Sequence, residues 1–499
     1  MKKILLILLS LFIISCEKED NDINSEQVIN ISISVNEISI NNSSFQLYVD
    51  NIPSSSYEIG LAWSTSTNPT ISNSTVSVVG ESFPVIGYIN DLESETVYYV
   101  RSYIQLESEI YYSNEIEFTT KTLNLICDTS YKYDDLYDER SLYVLNTIDD
   151  GVVVGGYKNT YYGFDQLDLV ISKFNSNCEK TWEIILPNLF EIYNITEDLS
   201  GNLLIVSKGH GTGTNYPMIY KIDSAGNIIW FRSYVKGVYS ALKDVVLDKD
   251  GNYNLVGTYA FDADERFGWF LKIDTNGDIQ LEKSFPKEDM MIGGSIAQIN
   301  DNGFYVVGDL QYESTLLYKL DNSANIIWRK NIGVESSDLN NSLLITSDNN
   351  ILISGLTYRI GPRSDAYNMW LVKLNLDGDI IWESGFGDED YEFGGSPEIN
   401  SNLVEDSNGY IYITKGAGFA PGNSGTLYHK IWLFKIDPNN GNQIWAEDFG
   451  SNEYYTMDLS FSMALTGSNE LLIVGQKEDE EPATISGTGD FWFLKLQEE

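Results

Sequence analysis

A strand–turn–strand pattern recurs seven times between residues 122 and 499 and constrains the fold of most of the chain. In its clearest copy, residues 370–374, apolar apart from Lys373, and apolar residues 380–382 flank the turn Asp377-Gly378. Asp-Gly and Asn-Gly pairs favour hairpins because both residues tolerate positive φ. Aligning the lysine in the first strand of each copy gives seven positions, spaced by 47 to 62 residues: Lys173, Lys221, Lys272, Lys319, Lys373, Lys435 and Lys495.

A second hairpin precedes each lysine, with turns such as Asp149-Asp150-Gly151 and strands rich in Val, Ile and Leu. Each repeat therefore predicts four antiparallel strands, a to d, with short turns at a–b and c–d. Four-stranded units with a period near 50 residues are typical of a β-propeller. A β-solenoid is the competing fold, but its coils are shorter and lack such hairpins. The predicted fold class is all-β, with a seven-bladed propeller over residues 122–499.

The two ends of the array are expected to complete one sheet. The last repeat stops at Lys495-Leu496 without a strand d, and residues 125–131 align with residues 380–386. This N-terminal strand is therefore predicted to close the ring and to leave no open sheet edge. A disulfide between Cys127 and Cys178 would staple the closure. Their expected positions, an outer strand and a turn, leave the distance between them open.

The residues after Lys435 carry a family resemblance. Lys435-Ile-Asp-Pro-Asn-Asn-Gly-Asn-Gln-Ile-Trp445 resembles the PQQ-like propeller repeat, and the array is similar to propeller lipoproteins of Bacteroidota. The resemblance implies a propeller and says little about function. Quinoprotein dehydrogenases have eight blades and a dedicated cofactor pocket. Seven blades without an adjacent Cys pair argue against quinone binding, so no cofactor is expected.

The first residues have the pattern of a lipoprotein leader. Residues 1–3 are basic at Lys2 and Lys3, and residues 4–14 are apolar apart from Ser10. This run is shorter than the roughly 20 residues of a membrane span. Ser15-Cys16 then resembles a bacterial lipobox, which implies that Cys16 carries the lipid anchor. We predict a signal peptide over 1–15 and an acidic tether over 16–26. A secretory leader with a chance cysteine is the alternative.

Charge and leader together indicate where the protein resides. The acidic residues Glu17, Glu19 and Asp20 resemble the surface-export signal of Bacteroidota lipoproteins. We expect a lipid-anchored outer-membrane protein at the cell surface, with periplasmic retention as the alternative. The net charge of −42 repels nucleic-acid phosphates. Expected partners are therefore the membrane, through the lipid, and a protein or glycan ligand, but no nucleic acid; the chain is expected to be a monomer.

Residues 27–121 alternate short β-rich runs with turn clusters, which is typical of a β-sandwich. The run Leu92-Glu-Ser-Glu-Thr-Val-Tyr98 resembles the fibronectin type III motif before strand F. That resemblance implies that Tyr98 forms the tyrosine corner and that Leu92 fills the core. The family's usual role is spacing or protein contact, so this domain is expected to be a stalk.

The face of the propeller that carries the longer b–c and d–a loops is the candidate binding face, because the short turns share the opposite face. Its loops mix aromatic residues with arginines, which suits glycan or protein recognition. A face without a ligand is the alternative. The candidate residues are Tyr161, Tyr162, Tyr216, Arg266, Tyr358, Arg359, Arg363 and Tyr391.

Catalytic and metal motifs are weak. His210 and His429 fall in loops of repeats that are not neighbours. Residues 274–278 and 375–379 look like fragments of a calcium loop, but they coincide with the recurring turn and lack the downstream glutamate. No metal site is predicted. The alternative to a non-enzymatic binding scaffold is a glycan-active hydrolase or lyase, which needs carboxylates converging in the central funnel.

Overall fold

The computed structural model describes most of the chain after residue 28. The described residues are 29–52, 57–80, 82–107, 109–131, 139–159, 167–211, 214–262, 265–285, 291–299, 303–310, 314–332, 339–357, 359–362, 367–387, 391–392, 403–419, 428–450, 459–478 and 489–499. Their regular elements are all β-strands. Among them no helix has the length and apolar character of a membrane span. The chain divides into two compact units, the second comprising Ser39–Asn41 and Lys121–Glu499.

The first unit is a two-sheet sandwich. One sheet has the order β1-β2-β5 and the other β4-β3-β6-β7, with β8 paired to β6. Alternate side chains of both sheets are buried because successive residues of a strand point to opposite faces. The strands are β1 (Asn30–Ile38), β2 (Ser43–Asp50), β3 (Glu58–Ser64), β4 (Ser74–Val78), β5 (Val85–Ile89), β6 (Val97–Leu106), β7 (Glu109–Tyr112) and β8 (Ile116–Thr119).

The contacts predicted before β6 are confirmed. The backbone N–H of Glu93 donates to the Tyr98 hydroxyl at 3.1 Å. Leu92 is buried in a core that also contains Phe45 and Phe118, and the Tyr98 ring stacks on Phe118. The hydroxyl thus ties the turn before β6 to a strand that is anchored in the core.

The described part of the second unit forms a β-propeller of consecutive antiparallel sheets, most of which hold strands a, b, c and d in chain order. The first four blades contain β10 (Glu139–Asn146), β11 (Val152–Asn159), β12 (Leu167–Phe174) and β13 (Lys180–Pro187); β14 (Leu189–Glu197), β15 (Leu203–Gly211), β16 (Thr214–Ile222) and β17 (Ile228–Ser233); β18 (Tyr239–Leu247), β19 (Tyr253–Ala260), β20 (Arg266–Ile273) and β21 (Ile279–Ser284); and β22 (Met291–Gln298), β23 (Phe304–Leu310), β24 (Ser314–Leu320) and β25 (Ile326–Asn331).

The remaining sheets complete the array. Blade five contains β26 (Leu339–Ile345), β27 (Ile351–Thr357), β28 (Asn368–Leu374) and β29 (Ile380–Phe386). Blade six contains two short inner pieces, β30 (Tyr391–Glu392) and β31 (Leu403–Glu405), with β32 (Ile411–Phe419), β33 (Tyr428–Ile436) and β34 (Gln443–Phe449). Blade seven contains β35 (Leu459–Leu465), β36 (Leu471–Glu478) and β37 (Gly489–Glu498), with β9 (Leu123–Tyr131) as its outer strand.

The predicted pairing of the two chain ends is confirmed. Strand β9 runs antiparallel to β37, with Cys127 opposite Lys495, where blade five places Trp382 opposite Lys373. The backbone N–H and C=O groups of Thr122 and Glu499 bond each other in both directions. The N-terminal strand of the array therefore supplies the missing strand d.

Apolar clusters join each sheet to the next. Blades two and three share a cluster that includes Tyr193 and Trp269, and the other consecutive pairs share similar ones. A further cluster joins Val144 and Val154 of the first blade to Val474 of the last. Interior packing thus runs around the array and returns to its start.

Cys127 and Cys178 form a disulfide, with their Cα atoms 6.6 Å apart. Cys178 lies in the c–d turn of blade one with a φ of 63°, in the position where Gly378 of blade five has a φ of 78°. The c–d turn of the first blade is therefore covalently linked to the outer strand of the last, and the distance that the sequence left open is short.

Removing residues 123–131 should destabilise the whole propeller. The outer edge of β37 would lose its partner, and unpaired N–H and C=O groups of an apolar strand cost stability. We expect the melting temperature of the second unit to fall by at least about 10 °C, measured by circular dichroism. A matched variant with a Gly/Ser linker of equal length should melt equally early. Unchanged melting of either variant would show that β9 does not close the array.

Candidate functional site

The repeated lysine of strand c forms an ion pair in most blades. In blade two, Lys221 Nζ lies 2.9 Å from Asp198 Oδ2 of the a–b turn, and both side chains are buried. Burial alone would raise the pKa of Asp198. Hydrogen bonds from Asn202 and Lys221 outweigh it and lower the pKa to about 2. The equivalent pairs are Lys173–Asp149, Lys272–Asp248, Lys373–Asp348 and Lys495–Glu470, and in blade six Lys435 pairs with Glu498 of the last strand.

The same lysines and the repeated tryptophans also bond the next blade. Lys221 Nζ and Trp230 Nε1 both donate to the carbonyl oxygen of Thr275 in the following c–d turn, at 3.3 and 3.0 Å. Lys373 and Trp382 share the carbonyl of Pro438 in the same way. These side chains hold turns together and lie opposite the loop face, so they are part of the scaffold.

The calcium-like fragments are hairpin turns. Asp274 Oδ1 accepts the backbone N–H groups of Asn276 and Asp278, and Gly277 has a φ of 82°. Asn375 makes the equivalent bonds in blade five. The side-chain oxygen that leads each fragment is therefore bonded to its own turn. In the described part of the chain no cluster of three or more His, Cys, Asp or Glu side chains is arranged to hold a metal ion.

Only some of the predicted binding-face residues lie in the described part of the chain. Tyr161, Tyr162, Tyr358 and Arg363 lie outside it. Tyr391 belongs to β30, opposite Phe419, and its side chain is likewise not described.

The three predicted residues with described side chains lie in different blades. Tyr216 of blade two is half-buried, and its ring lies over Gly209 of the neighbouring strand. Arg266 of blade three faces the Tyr239 ring, with its guanidinium carbon 6.0 Å from the ring centroid. Arg359 of blade five donates from both terminal nitrogens to the Glu383 carboxylate, at 2.9 and 2.8 Å.

Arg359 therefore fixes its own loop. The bidentate pair lowers the pKa of Glu383, and residue 360 of the loop lies so close to Gly385 that a Cβ there would collide with the Ile360 carbonyl oxygen. The b–c loop of blade five consequently lies against its outer strand. The two histidines are also apart, with His210 in β15 and His429 in β33.

The innermost strands carry polar residues that the sequence had not singled out. In most blades, strand a contains a β-bulge at the equivalent position, for example between Ile192 and Asn194 and between Leu242 and Asp244. Bulges re-aim side chains. Residues after the bulges bond the neighbouring blade: Asp244 Oδ2 accepts the N–H of Ile296, and Ser462 Oγ accepts the N–H of Val144.

Asp244 is the centre of this inner layer. Its carboxylate accepts hydrogen bonds from Asn194 Nδ2 (2.6 Å), Ser295 Oγ (2.6 Å) and the N–H groups of Val245 (2.8 Å) and Ile296 (2.9 Å). Burial nevertheless raises the pKa of Asp244. Four donors from three consecutive blades satisfy both oxygens, so this carboxylate is a structural link between blades.

A cavity of about 140 Å³ adjoins Asp244 between the innermost strands of blades two to five. Its polar lining includes Asn194, Lys243, Ser295 and Ser342. Lys243 is the bulged residue, and its Nζ lies 3.8 Å from the centroid of the Tyr193 ring. A signal was present in the sequence: the strands a place Asn194, Asp244, Ser295, Ser342 and Ser462 at equivalent positions, where a core strand would have apolar residues.

Blade six departs from the repeat at Lys415. The register with strand c places Lys415 where the other blades have Gly or Ser: Gly156, Ser207, Gly257, Gly308, Gly355 and Gly475. A Cβ at Gly156 would collide with the Arg140 carbonyl oxygen of strand a. In blade six the described inner pieces pair with residues 411–413 and 418–419 of β32 and not with Lys415.

The Lys415 side chain is fully buried, and within the described ranges its Nζ has no hydrogen-bond partner. Burial lowers the pKa of this amine to about 8. Strand alternation puts Lys415 on the same face as Ile411 and Ile413, which pack in the apolar cluster between blades five and six. Its amine thus lies at an apolar seam between blades.

No protein-family model matches the chain, and no curated protein matches it. Similar solved structures include a subtype N10 neuraminidase-like protein of a little yellow-shouldered bat virus, with 11% identity, a TM-score of 0.39 and coverage of 76% of this chain and 99% of that one. A Synechocystis apocarotenoid oxygenase mutant has 12% identity, a TM-score of 0.42 and coverage of 74% and 95%. TM-scores below 0.5 transfer no activity to this chain.

The substitution Asp198→Asn should lower the free energy of unfolding of the propeller at neutral pH. This difference from the wild type should disappear in acid. The folded-state pKa of Asp198 is below its unfolded value of about 3.9, so its stabilisation is present above pH 4 and is lost as pH falls toward 2. Urea unfolding at pH 7 should show the variant less stable than the wild type, and the two curves should converge near pH 2. A difference that is independent of pH would contradict the ion-pair role.

Lys415→Met should stabilise the protein at neutral pH. Replacing a buried, unpaired amine by an apolar side chain of similar length removes a charging penalty of up to about 3 kcal/mol. Since the folded pKa of about 8 lies below the unfolded value, wild-type stability rises between pH 8 and about 10.5, and the advantage of the variant should shrink there. The control Lys373→Met, which leaves Asp348 unpaired, should destabilise. A loss of stability in Lys415→Met would show that the amine has a stabilising partner.

Proposed function

We propose that the protein is a lipid-anchored lipoprotein of the cell envelope whose propeller is a non-enzymatic binding scaffold for a glycan or protein. Cys16 after the apolar leader supports the anchor, and the acidic residues that follow it support a location at the outer surface of the outer membrane. Leader and anchor lie outside the described residues. The acyl chains would hold the protein at the membrane, at about 0.8 kcal/mol per buried CH₂.

The two units have distinct roles in this proposal. The first is a fibronectin type III-like spacer, supported by the sheet orders β1-β2-β5 and β4-β3-β6-β7 and by the Tyr98 corner. The second is a closed seven-bladed ring, supported by the pairing of β9 with β37 and by the apolar cluster between the first and last blades. A ring without open edges presents fixed loops on one face.

The surface that best supports a binding function is a patch on blade three. We name it the blade-three patch: Val235, Val238, Tyr239, Phe261, Arg266 and Phe267. Phe261, Val235 and Val238 are exposed by 54%, 65% and 53%. Arg266 lies against Tyr239. Aromatic and arginine side chains that are already held in place recognise ligands at low entropic cost.

The patch rests on a packed aromatic base. Tyr259 stacks on Phe267, with centroids 5.2 Å apart, and meets Phe261 edge to face at 5.5 Å. Lys236 Nζ lies 4.2 Å from the centroid of the Tyr259 ring and bonds Glu282 at 2.6 Å. The d–a link joins the b–c loop through the N–H of Val238, which donates to the Ala260 carbonyl. Both loops of the patch are thus held before any ligand arrives.

The alternative function, a glycan-active hydrolase or lyase, needs two carboxylates of opposed pKa facing the same bond. In the described innermost strands, Asp244 is the carboxylate beside the cavity between blades two to five. Its two oxygens accept hydrogen bonds from four protein donors. A carboxylate used in this way supports the scaffold role over the catalytic one.

Phe261→Ala and Arg266→Ala should each lower ligand binding at least tenfold, because truncating an aromatic or arginine hot spot costs about 2 kcal/mol or more. A glycan array and cross-linking to isolated envelopes would measure it, using both units without residues 1–16. Phe231→Ala is the matched control, since Phe231 is 56% exposed on the outer strand of blade two. Equal binding by all four proteins would place the ligand elsewhere, and binding by none of them would refute the scaffold function.

A further inference from the structure

The first unit carries aromatic side chains on the solvent side of one of its sheets. In the sheet β1-β2-β5, alternate side chains point away from the core. Two of these are Tyr48 and Tyr88, exposed by 38% and 48%, and Ile86 of β5 is exposed by 42%. We name this outward surface the β1-β2-β5 face, and it consists of Ser32, Ser34, Asn36, Ser44, Gln46, Tyr48, Ile86 and Tyr88. An aromatic surface therefore lies outside the core of the sandwich.

A chain of hydrogen bonds holds the polar side chains of this face in place. The Tyr48 hydroxyl donates to Gln46 Oε1 at 2.6 Å, and Gln46 Nε2 donates to Asn36 Oδ1 at 3.4 Å. Asn36 Nδ2 donates in turn to Ser44 Oγ at 2.8 Å. The Tyr48 ring is thus positioned before a ligand arrives, which lowers the entropic cost of binding.

The strand register gives the size of the face. Tyr88 pairs with Ser44, and Tyr48 lies further along β2 by about 13 Å at about 3.3 Å per residue. With one strand spacing of about 4.8 Å, the two tyrosine Cα atoms are about 14 Å apart. Three strands span about 10 Å, so the flat area is roughly 140 Å². A standard protein interface covers about 800 Å² of each partner. The face is therefore too small for a folded partner, but it is longer than one sugar ring.

The charges of the face decide between ligand classes. None of its residues is charged, although the chain has 73 acidic residues. The charged residues in register with it are acidic and lie toward its ends: Glu37 is opposite Ser44, and Asp50 ends β2. An anionic ligand would be repelled from both ends, and a cationic one would meet carboxylates only there. Aromatic rings beside amide and hydroxyl groups instead match the C–H face and the hydroxyl groups of a neutral sugar.

We propose that the β1-β2-β5 face binds a neutral, extended oligosaccharide. Sugar rings stack on Tyr48 and Tyr88, and the part of the chain between them hydrogen-bonds the Gln46 amide. Ser32 and Ser34 lie in register with Tyr48 and Gln46 and offer hydroxyl groups along β1. The first unit then has a ligand of its own. This site is separate from the blade-three patch and does not depend on it.

The test measures binding of defined sugars by isothermal titration calorimetry, using both units without residues 1–16. The probes are neutral hexasaccharides of glucose, xylose, mannose and N-acetylglucosamine, the acidic hexagalacturonate, the cationic chitosan hexamer, and free glucose. At least one neutral hexasaccharide should bind more tightly than both charged ones and than glucose. Tyr48→Ser and Tyr88→Ser should each weaken its binding at least tenfold, because each removes an aromatic anchor. Tyr88→Phe keeps the ring and should bind like the wild type.

The matched control is Tyr111→Ser, because Tyr111 is 36% exposed on β7 of the other sheet. It should leave hexasaccharide binding unchanged. Circular dichroism checks that each variant is folded; if Tyr48→Ser does not fold, the comparison of Tyr88→Ser with Tyr88→Phe decides. The proposal is overturned if no neutral hexasaccharide binds, if a charged one binds more tightly, or if the folded serine variants at Tyr48 and Tyr88 bind undiminished. Loss of binding in Phe261→Ala would also overturn it, since the sugar would then occupy the blade-three patch.

Discussion

The ion pair made by the lysine of strand c is the interaction on which the propeller depends. In blade two, Lys221 pairs with Asp198 of its own a–b turn and donates to Thr275 of the next c–d turn. One side chain thereby links the a–b turn of its own blade to the c–d turn of the next blade and sets the spacing between the two blades. A buried pair gains little net stability over apolar packing, but an unpaired partner is costly. We interpret the lysines chiefly as determinants of specificity, because Lys221, Lys319, Lys373 and Lys495 also require a turn carbonyl at the right place in a neighbouring blade.

Along the innermost strands a different constraint operates. A strand a has neighbours on one side only, so part of its backbone hydrogen-bonding capacity is unmet within its own sheet. Side chains of the adjacent blade satisfy some of it, as Asp244 does for Ile296 and Ser462 does for Val144. This requirement explains why polar residues occur where a core strand would be apolar. It also gives Asp244 a structural role at this place, because its carboxylate completes backbone bonding between blades.

The sequence predicted the repeated parts of the fold well and the site poorly, for a common physical reason. Turn residues, alternation and the lysine spacing act locally, so Asp377-Gly378 and the register of Lys373 with Trp382 could be inferred from one repeat. The closing strand was inferred from what the last repeat lacks. Loop side chains depend on contacts between distant segments, and Arg359 illustrates this: its bidentate bond to Glu383 takes it away from a free loop face. The bulges that form the inner cavity depend on pairing that no single repeat reveals.

Function in a repeat protein must lie where a blade departs from its siblings, since a shared residue is explained by the shared fold. Blade three departs in its loops, where Phe261 is exposed and meets Tyr259 edge to face. The inner layer departs at the bulge, where Lys243 takes a place that Leu142 and Phe461 hold in other blades. Blade six departs at Lys415, which is fully buried in a place reserved elsewhere for Gly or Ser. The described inner pieces β30 and β31 pair with residues 418–419 and 411–413 of β32, on either side of Lys415. The departure at Lys415 is thus local to blade six and does not follow from the propeller fold.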